Sequence, residues 1–416
     1  MVERKVSARK RGRYRARVWS VGMVASLWAL SAFGADYVVT TTADFLDNTD
    51  NQCSLREAIQ EANDGPDTDC AGSPSNGDDT ITFSVSGTIV LGSTLPDIAD
   101  AGTAGKLTID GSGQTITISG NNSVLVMRVN SGADLTLRNL SIAEGSADFG
   151  GGIRNDGTLT IMSATLSGNV AGDFIALVGG GGGIFNAGWA SVINSTFSDN
   201  KGVRGAGILN VGTLTIINST FSGNNAPTTG GGIRNEGTLT LKNTIVANSP
   251  SGGNCSGTIT DGGGNLSWPD ATCPGINQDP TLGPLENNGG PTQTHALLAG
   301  SAAIDAVTDC TDTSGNTIST DQRGISRPQP AGGQCDAGAY EFRRIEDDTG
   351  DRACSDGSDN DSDGRTDCAD PDCATSVRCA APMPATGWGR KVLLVTLLAA
   401  LGIHALSLRL AARQQG

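Results

Sequence analysis

Aromatic and histidine side chains are scarce in this sequence. Its 416 residues include 5 Trp, 3 Tyr, 9 Phe and 2 His. So few histidines and aromatic rings argue against a Ser-His-Asp triad, a histidine-rich metal site and extended sugar-stacking platforms. Glycine, by contrast, is abundant at 59 residues. This count argues against a helical bundle, because each glycine costs about 1 kcal/mol in a helix interior.

Positive charge is also scarce outside the two ends of the chain. Eight basic residues and Glu3 lie in 1–35, and four basic residues lie in 381–416. The remaining segment, 36–380, therefore holds 16 basic and 42 acidic side chains, a net charge of −26 against −15 for the whole chain. Such a body repels nucleic acid and attracts divalent cations, so we expect no nucleic-acid partner.

The N-terminal segment, 1–35, has the three parts of a secretory signal peptide. A basic stretch from Arg4 to Arg17 precedes the apolar run 18–33, and small residues follow it. We predict cleavage after Gly34 or Ala35. An uncleaved signal anchor is the alternative, although the run is short for a membrane span of about 20 residues. In both cases the body of the chain leaves the cytoplasm.

The C-terminal segment, 381–416, has a short motif, an apolar stretch and a basic tail. The 17-residue stretch from Val392 to Leu408 predicts a transmembrane helix. The Met-Pro-Ala-Thr-Gly motif at 383–387 resembles bacterial sortase signals, and the following Trp388-Gly389 resembles the Pro/Trp-Gly anchors of Gram-negative envelopes. These resemblances imply processing at the cell envelope, and a plain membrane anchor is the alternative.

The ten cysteines all lie between these two ends. An even number in an exported chain predicts disulfide bonds, and proximity pairs the first six in order. The pairing among the last four is open, and zinc is the disfavoured alternative for Cys368 and Cys373 because no histidine is near. The ten are Cys53, Cys70, Cys255, Cys273, Cys310, Cys335, Cys354, Cys368, Cys373 and Cys379.

Internal repetition is the strongest signal in the chain. One ladder of apolar positions keeps spacings of 24, 31, 24 and 25 residues, at Leu135, Leu159, Ala190, Leu214 and Leu239. Two more ladders keep this series, at Ile142, Leu166, Phe197, Phe221 and Val246 and at Asn155, Asn186, Asn210 and Asn235. Each unit has strands of period 2 and is too small to bury its own face. Stacking one unit per coil predicts an all-β fold, a right-handed parallel β-helix over 106–250.

Two features flank or interrupt the repeats. The segment 54–62 is the one good candidate for a soluble helix in the sequence. We expect it to form an N-terminal cap, which together with the first coils occupies 36–105. One repeat carries seven extra residues between Asn169 and Asn186. A solenoid expels extra residues as a loop on one face, so 170–183 predicts a binding loop or a flap over the coil.

Two longer motifs resemble known families. The residues Cys-Ser-Leu-Arg-Glu-Ala at 53–58 resemble the CSLREA motif of bacterial surface β-helices. Parts of 279–305 and 321–341 are similar to the choice-of-anchor Q domain, and the Gly-Gly-Ile repeats are similar to polymorphic outer-membrane proteins. The resemblance covers about 36–344, with 251–344 as the last coils and the Q-like region. It implies an exported β-helix with interchangeable anchors and implies no reaction.

An acidic segment with four cysteines, 345–380, follows. Within it, oxygen donors at loop positions 1, 3, 5, 7, 9 and 12, with glycine at 6, match the spacing of a calcium loop. They are Asp359, Asp361, Asp363, Arg365 (through its carbonyl), Asp367 and Asp370. The loop resembles the Asp-rich repeats of thrombospondin type 3, which implies a calcium-stiffened stalk. A disordered acidic linker is the alternative.

The outer face of the predicted coils shows little sign of catalysis. The position after each inward isoleucine reads Arg154, Phe185, Leu209 and Arg234. Asp156 and Glu236 fall three coils apart, roughly 14 Å, too far for a glycosidase pair. His295 is expected to be packed and hydrogen-bonded.

We therefore predict a membrane- or wall-anchored, non-catalytic, adhesin-like surface protein of the cell envelope. We expect a monomer that contacts the membrane through its C-terminal helix and binds extracellular glycans or other cell-surface molecules. The alternative is a surface polysaccharide lyase or glycoside hydrolase, because right-handed β-helices host such enzymes.

Overall fold

The computed structural model describes residues 34–47, 49–64, 69–70, 77–99, 105–172, 178–329 and 332–343. The predicted signal peptide up to residue 33, the predicted stalk and the predicted C-terminal anchor lie outside these residues. In the described part of the chain, no helix is long and apolar enough to cross a membrane.

The described chain begins with one helix among short strands. The first elements are β1 (Asp36–Val39), α1 (Leu55–Asp64), β2 (Asp79–Phe83), β3 (Gly87–Val90), β4 (Leu107–Asp110), β5 (Ile116–Ser119) and β6 (Met127–Val129). The regular repeats contain β7 (Asp134–Arg138), β8 (Ser141–Ala143), β9 (Ser146–Ala147), β10 (Ile153–Asn155), β11 (Thr158–Met162), β12 (Thr165–Ser167), β13 (Val170–Ala171), β14 (Ile184–Asn186), β15 (Trp189–Ile193), β16 (Thr196–Ser198), β17 (Lys201–Gly202), β18 (Ile208–Asn210), β19 (Thr213–Ile217), β20 (Thr220–Ser222), β21 (Ile233–Asn235), β22 (Thr238–Lys242) and β23 (Ile245–Ala247). The last elements are β24 (Cys255–Ser256), β25 (Thr260–Asp261), β26 (Leu266–Trp268), β27 (Leu282–Glu286) and β28 (Thr294–Leu297).

These strands stack into three long parallel sheets that wind around one core. The long-strand sheet has the order β1-β2-β4-β7-β11-β15-β19-β22-β25. The arginine sheet, named for its outward side chains, has the order β6-β10-β14-β18-β21-β24, and the seam sheet has the order β3-β5-β8-β12-β16-β20-β23-β26. A small sheet, β9-β13-β17, lies at a corner of three coils. The predicted all-β fold is confirmed as a right-handed parallel β-solenoid.

Strand pairing follows the sequence repeat. Leu159 pairs with Leu135 on one side and with Ala190 on the other, which reproduces the spacings of 24 and 31 residues. Leu214 pairs with Ala190 and Leu239 in the same way. The ladders in the sequence are therefore the registers of neighbouring coils.

The core is filled by the inward side chains of each coil. Phe197 and Phe221 are fully buried and stack with ring centroids 4.5 Å apart. Gly207 lies beside them, where a Cβ would come 3.0 Å from Phe221 Cδ1 and 2.4 Å from the Gly232 carbonyl oxygen. Glycine at this corner lets one coil approach the next and leaves room for the aromatic pair.

Buried asparagines hydrogen-bond from coil to coil. In the predicted ladder, the Nδ2 of Asn155, Asn186 and Asn210 donates to the Oδ1 of the next asparagine at 2.6, 2.7 and 2.7 Å. A second ladder, which the sequence analysis missed, links three further buried asparagines at 2.9 Å per step; its members are Asn169, Asn200 and Asn224. Each amide both donates and accepts, so a stacked column satisfies groups that are costly to bury alone.

The 53–58 motif builds the N-terminal cap. Ser54 and Glu57 form a reciprocal capping box: the Glu57 amide donates to Ser54 Oγ, and the Ser54 amide donates to Glu57 Oε2 at 2.9 Å. Arg56 donates two hydrogen bonds to Asp44, at 2.8 and 2.9 Å. Leu55 and Ile59 are buried in the main core, so helix α1 continues that core beyond the first coil.

Residues 279–329 and 332–343, which we name the return segment, fold back along the outer face of the seam sheet. Gln322 Nε2 donates to Thr165 Oγ1 at 2.9 Å, and Thr196 Oγ1 donates to Gln322 Oε1 at 2.7 Å. Higher up the stack, the Ala339 amide donates to Thr220 Oγ1 at 2.9 Å. We call this contact the seam. Within the predicted range 251–344, coils therefore occupy only the first part.

A second apolar cluster fills the upper seam. It joins side chains of the last coils to the return segment and contains Ile245, Ala247, Leu266, Leu297, Ala303, Val307, Cys335 and Ala337. From β12 to β26, the outer face of the seam sheet is thus an interior surface of the molecule.

The described part of the chain contains three disulfide bonds, and they support the predicted disulfide framework. They join Cys53 to Cys70, Cys255 to Cys273 and Cys310 to Cys335. These are the pairs that sequence proximity predicts. The four cysteines from 354 to 379 lie outside the described residues.

Candidate functional site

The 321–341 motif forms a buried ion network inside the return segment. Arg327 and Glu341 pair at 2.9 Å with both side chains 0% exposed. Arg327 also donates to the carbonyl oxygens of Asp336 and Gly338, at 2.8 and 2.7 Å. Burial, reinforced by the charge of Glu341, raises the pKa of Asp336 from 3.8 to about 7. Burial also raises the pKa of Glu341. Apart from the buried Nε of Arg327, for which the described residues offer no hydrogen-bond partner, the polar atoms named here bond to the protein itself.

His295 has the packed role that we expect from the sequence. Its Nδ1 lies 2.8 Å from the Gly283 carbonyl oxygen, and its Nε2 lies 3.0 Å from Ser198 Oγ. Burial lowers the pKa of this imidazole, which favours the neutral form. His295 therefore ties the hairpin β27–β28 to strand β16 of the seam sheet.

The most distinctive exposed surface is the outer face of the arginine sheet. Its strands place one outward side chain per coil in a single row, in register from β6 to β21. In order the row reads Arg128, Arg154, Phe185, Leu209 and Arg234. A second row runs beside it along the preceding corner, where Phe149 pairs with Gly180 and Arg204 pairs with Thr229. The arginine face is defined by these two rows.

Arginines and carboxylates cluster at both ends of the arginine face. At one end, Arg154 and Arg128 both contact Asp156, at 2.9 and 3.5 Å, and Arg128 lies 3.9 Å from the exposed Asp97. At the other end, Arg204 and Arg234 share Glu236, at 3.2 Å each. Two guanidinium groups thus meet one carboxylate at this second end, which leaves one positive charge there.

Apolar side chains occupy the coils between the two clusters. The rings of Phe149 and Phe185 lie 5.1 Å apart, and the Arg154 guanidinium lies 5.6 Å from the Phe185 centroid. Leu209 points outward in its strand yet is fully buried. The centre of the arginine face is therefore a half-buried aromatic surface beside a covered leucine.

Part of this surface could be placed from the sequence. Arg154, Phe185, Leu209 and Arg234 were predicted to form one outward row, with Asp156 and Glu236 three coils apart. Arg128, Arg204 and Phe149 were missed. Arg204 and Phe149 lie at a corner of the coil where apolar residues do not recur at a regular spacing. The one signal that could have located them is the repeat of the Gly-Gly-Ile corners that follow, which brings the preceding residues of successive coils into one row.

A polar cavity of about 440 Å³ lies elsewhere, between early turns and the loop of the hairpin β27–β28. Its walls include Ser86, Gln114 and Asn139, and Pro291 closes one side. These groups are uncharged and satisfy one another in part, as in the bond from Ser86 Oγ to Gln114 Oε1 at 2.5 Å.

The predicted calcium ligands between 359 and 370 lie outside the described residues. Among the residues that the structure does describe, no group of three His, Cys, Asp or Glu side chains could hold a metal ion.

Comparisons with known proteins identify no family for this chain. No protein-family profile and no curated protein matches the chain. Among solved structures, it is similar to Jun a 1, the major allergen from cedar pollen, with 15% sequence identity and a TM-score of 0.35. The match covers 57% of this chain and 66% of that one. The CSLREA and choice-of-anchor Q resemblances stay predictions.

Proposed function

We propose that the protein is an exported, envelope-anchored, non-catalytic surface protein that displays a rigid β-solenoid. The observation that carries this proposal is the use of its reactive groups. His295, Asp336 and Glu341, which have perturbed pKa values, are buried and bonded within the return segment and its seam. In this position they hold parts of the fold together through hydrogen bonds and are shielded from a substrate.

The disulfide bonds support the location in this proposal. Disulfides persist in oxidising compartments outside the cytoplasm. The three that we describe secure the cap, the last coils and the return segment. The anchor itself rests on the sequence pattern of 381–416.

The stalk is the second part of the proposal. Residues 345–380 would bind calcium through Asp359, Asp361, Asp363, Asp367 and Asp370 and the carbonyl of Arg365. Calcium would then hold the solenoid at a fixed distance from the anchor. Proteolysis of the full chain with and without EDTA tests this part: we expect EDTA to expose cleavage sites within 345–380, and identical digests would contradict calcium binding.

Location and turnover can be tested together on intact cells. Antibodies against the solenoid should label cells that produce the full chain, and external protease should remove the label. Cells that produce a variant truncated before residue 381 should release the protein to the medium. Label confined to the cytoplasm would overturn the proposal.

The enzymatic alternative has a separate readout. Purified full-length protein, incubated with acidic and neutral polysaccharides, should release neither reducing ends nor unsaturated products. Product that accumulates in proportion to protein concentration would establish a lyase or hydrolase instead.

A further inference from the structure

We propose that the arginine face binds an acidic polysaccharide laid along the solenoid axis. This inference deepens the proposed function, because it assigns a ligand class to a displayed surface.

Charge is the first argument. Segment 36–380 carries −26, so most of its surface repels an anion. The end of the arginine face at Arg204 and Arg234 differs from this negative surface. Its two guanidinium groups share one carboxylate, Glu236, so the local charge is positive. Guanidinium groups bind carboxylates or sulfates through paired hydrogen bonds. An anionic group on the ligand would act as a second carboxylate for these two guanidinium groups.

The aromatic centre is the second argument. Phe185 lies two coils from Arg234 in the same row, roughly 10 Å at the strand spacing of a sheet. Phe149 packs against it from the second row and widens the apolar surface. The face of a sugar ring is apolar and packs on such a surface while its hydroxyl and carboxylate groups remain at the edges. A ring on Phe185 and a carboxylate at Arg204 and Arg234 would therefore belong to one extended chain.

The regular geometry favours a polymer. Parallel strands place one outward position of each row per coil along a straight line, so an extended ligand can meet the arginine and aromatic side chains of successive coils together. Gly180 lies between Phe149 and Arg204 in the second row and presents no side chain there; a Cβ at this position would come 2.2 Å from the Arg204 carbonyl oxygen. A folded acidic protein is the competing occupant, and the experiment includes it.

The probes are polygalacturonate, neutral dextran of matched length and a folded acidic protein without glycans, each titrated against the full-length protein in detergent. The test variant is R204Q/R234Q, because glutamine keeps part of the aliphatic side chain while removing both charges. F185A tests the aromatic centre. The matched control is R138Q, since Arg138 is 41% exposed, as Arg204 is, but lies on the long-strand sheet.

We expect salt-sensitive binding of polygalacturonate and none of dextran. R204Q/R234Q should weaken it by about tenfold or more and F185A by about fivefold, whereas R138Q should leave it unchanged. All variants should keep the melting temperature of the parent protein within a few degrees, and R204K/R234K serves as a second, charge-preserving variant that should restore part of the affinity.

Equal binding of polygalacturonate by the parent and R204Q/R234Q would overturn the inference. Binding of the acidic protein alone, or no binding of polygalacturonate, would also overturn it. Surface labelling would be unaffected by these outcomes, so the proposed function would survive. Conversely, bound polygalacturonate that is shortened would refute the non-catalytic function while leaving the site in place.

Discussion

At the scale of single residues, short polar side chains occupy interior positions of the solenoid that apolar side chains usually fill. The asparagine ladders place amides inside the solenoid, and each amide relies on the coil above and the coil below. Asn186 accepts from Asn155 and donates to Asn210 and to the Thr213 carbonyl oxygen. Its neighbours are buried, so they have no water to turn to when a partner is removed.

Asn186→Ala should therefore lower the free energy of unfolding by about 2–4 kcal/mol, because it leaves buried polar groups on two coils unsatisfied. Urea denaturation of the full chain measures the loss. Asn287→Ala is the matched control, since Asn287 is exposed in the hairpin loop, and it should change stability by less than about 0.5 kcal/mol. Equal effects of the two substitutions would contradict the ladder's role.

Asp336 makes stability depend on pH. Its folded-state pKa, about 7, lies above the ordinary value of 3.8, so the folded protein keeps a proton that the unfolded chain releases. Stability from this group is complete below about pH 4 and is lost as the pH rises to about 7. Asp336→Asn should remove that loss, so the stability of the variant relative to the parent should increase between about pH 4 and about pH 8.

Denaturation curves of both proteins across this range provide the measurement. His295 acts in the opposite direction, since its lowered pKa takes stability away as the pH falls below 6.5. This contribution is present in both proteins and cancels in their difference. A difference that does not vary with pH would show that Asp336 is ionised throughout.

At the scale of elements, the coils follow from the sequence and the return segment does not. Spacings of 24, 31, 24 and 25 residues fix which positions stack, because each coil contacts only its neighbours. The seam instead joins Gln322 to Thr165, 157 residues apart, by contacts that follow no period. The motif at 321–341 marks the region as distinctive, yet nothing in it indicates which face of the solenoid it covers.

The seam should open locally when its central amide is removed. Gln322 is buried and bonds to Thr165, Thr196, Thr292 and the Gln293 carbonyl oxygen. Gln322→Ala should accelerate proteolysis within the return segment by about tenfold or more, because opening then breaks fewer bonds. The coils should stay resistant. Gln278→Ala, at an exposed position just before the segment, should digest like the parent, and a digest that begins in the coils would refute a separate seam.

At the scale of the whole molecule, the described disulfide bonds lie at the two ends of the solenoid and in the return segment. The disulfides close loops of 17, 18 and 25 residues, each a contribution of about 3 kcal/mol. The coils between β7 and β20 contain none of them. The central coils of the arginine face are therefore held by strand pairing and by the seam, without a disulfide of their own.

Reduction should therefore loosen the molecule unevenly. Hydrogen exchange with and without a thiol reductant should show faster exchange in helix α1 and the return segment and unchanged exchange from β7 to β20. The double variant C310S/C335S should reproduce the change in the return segment only. Uniform acceleration along the chain would indicate that the solenoid unfolds as one unit with its ends.

The seam also sets an order of events during synthesis. Coils can wind one upon another as the chain grows, because each needs only the coil before it. The outer face of the seam sheet, however, waits for residues that are made more than a hundred positions later, up to Ala339 on Thr220. A partly synthesised chain can therefore form its coils while Ile245 and the neighbouring apolar side chains are still exposed to water and to other chains. Synthesis of the return segment covers this apolar surface and removes a site at which incomplete chains could aggregate.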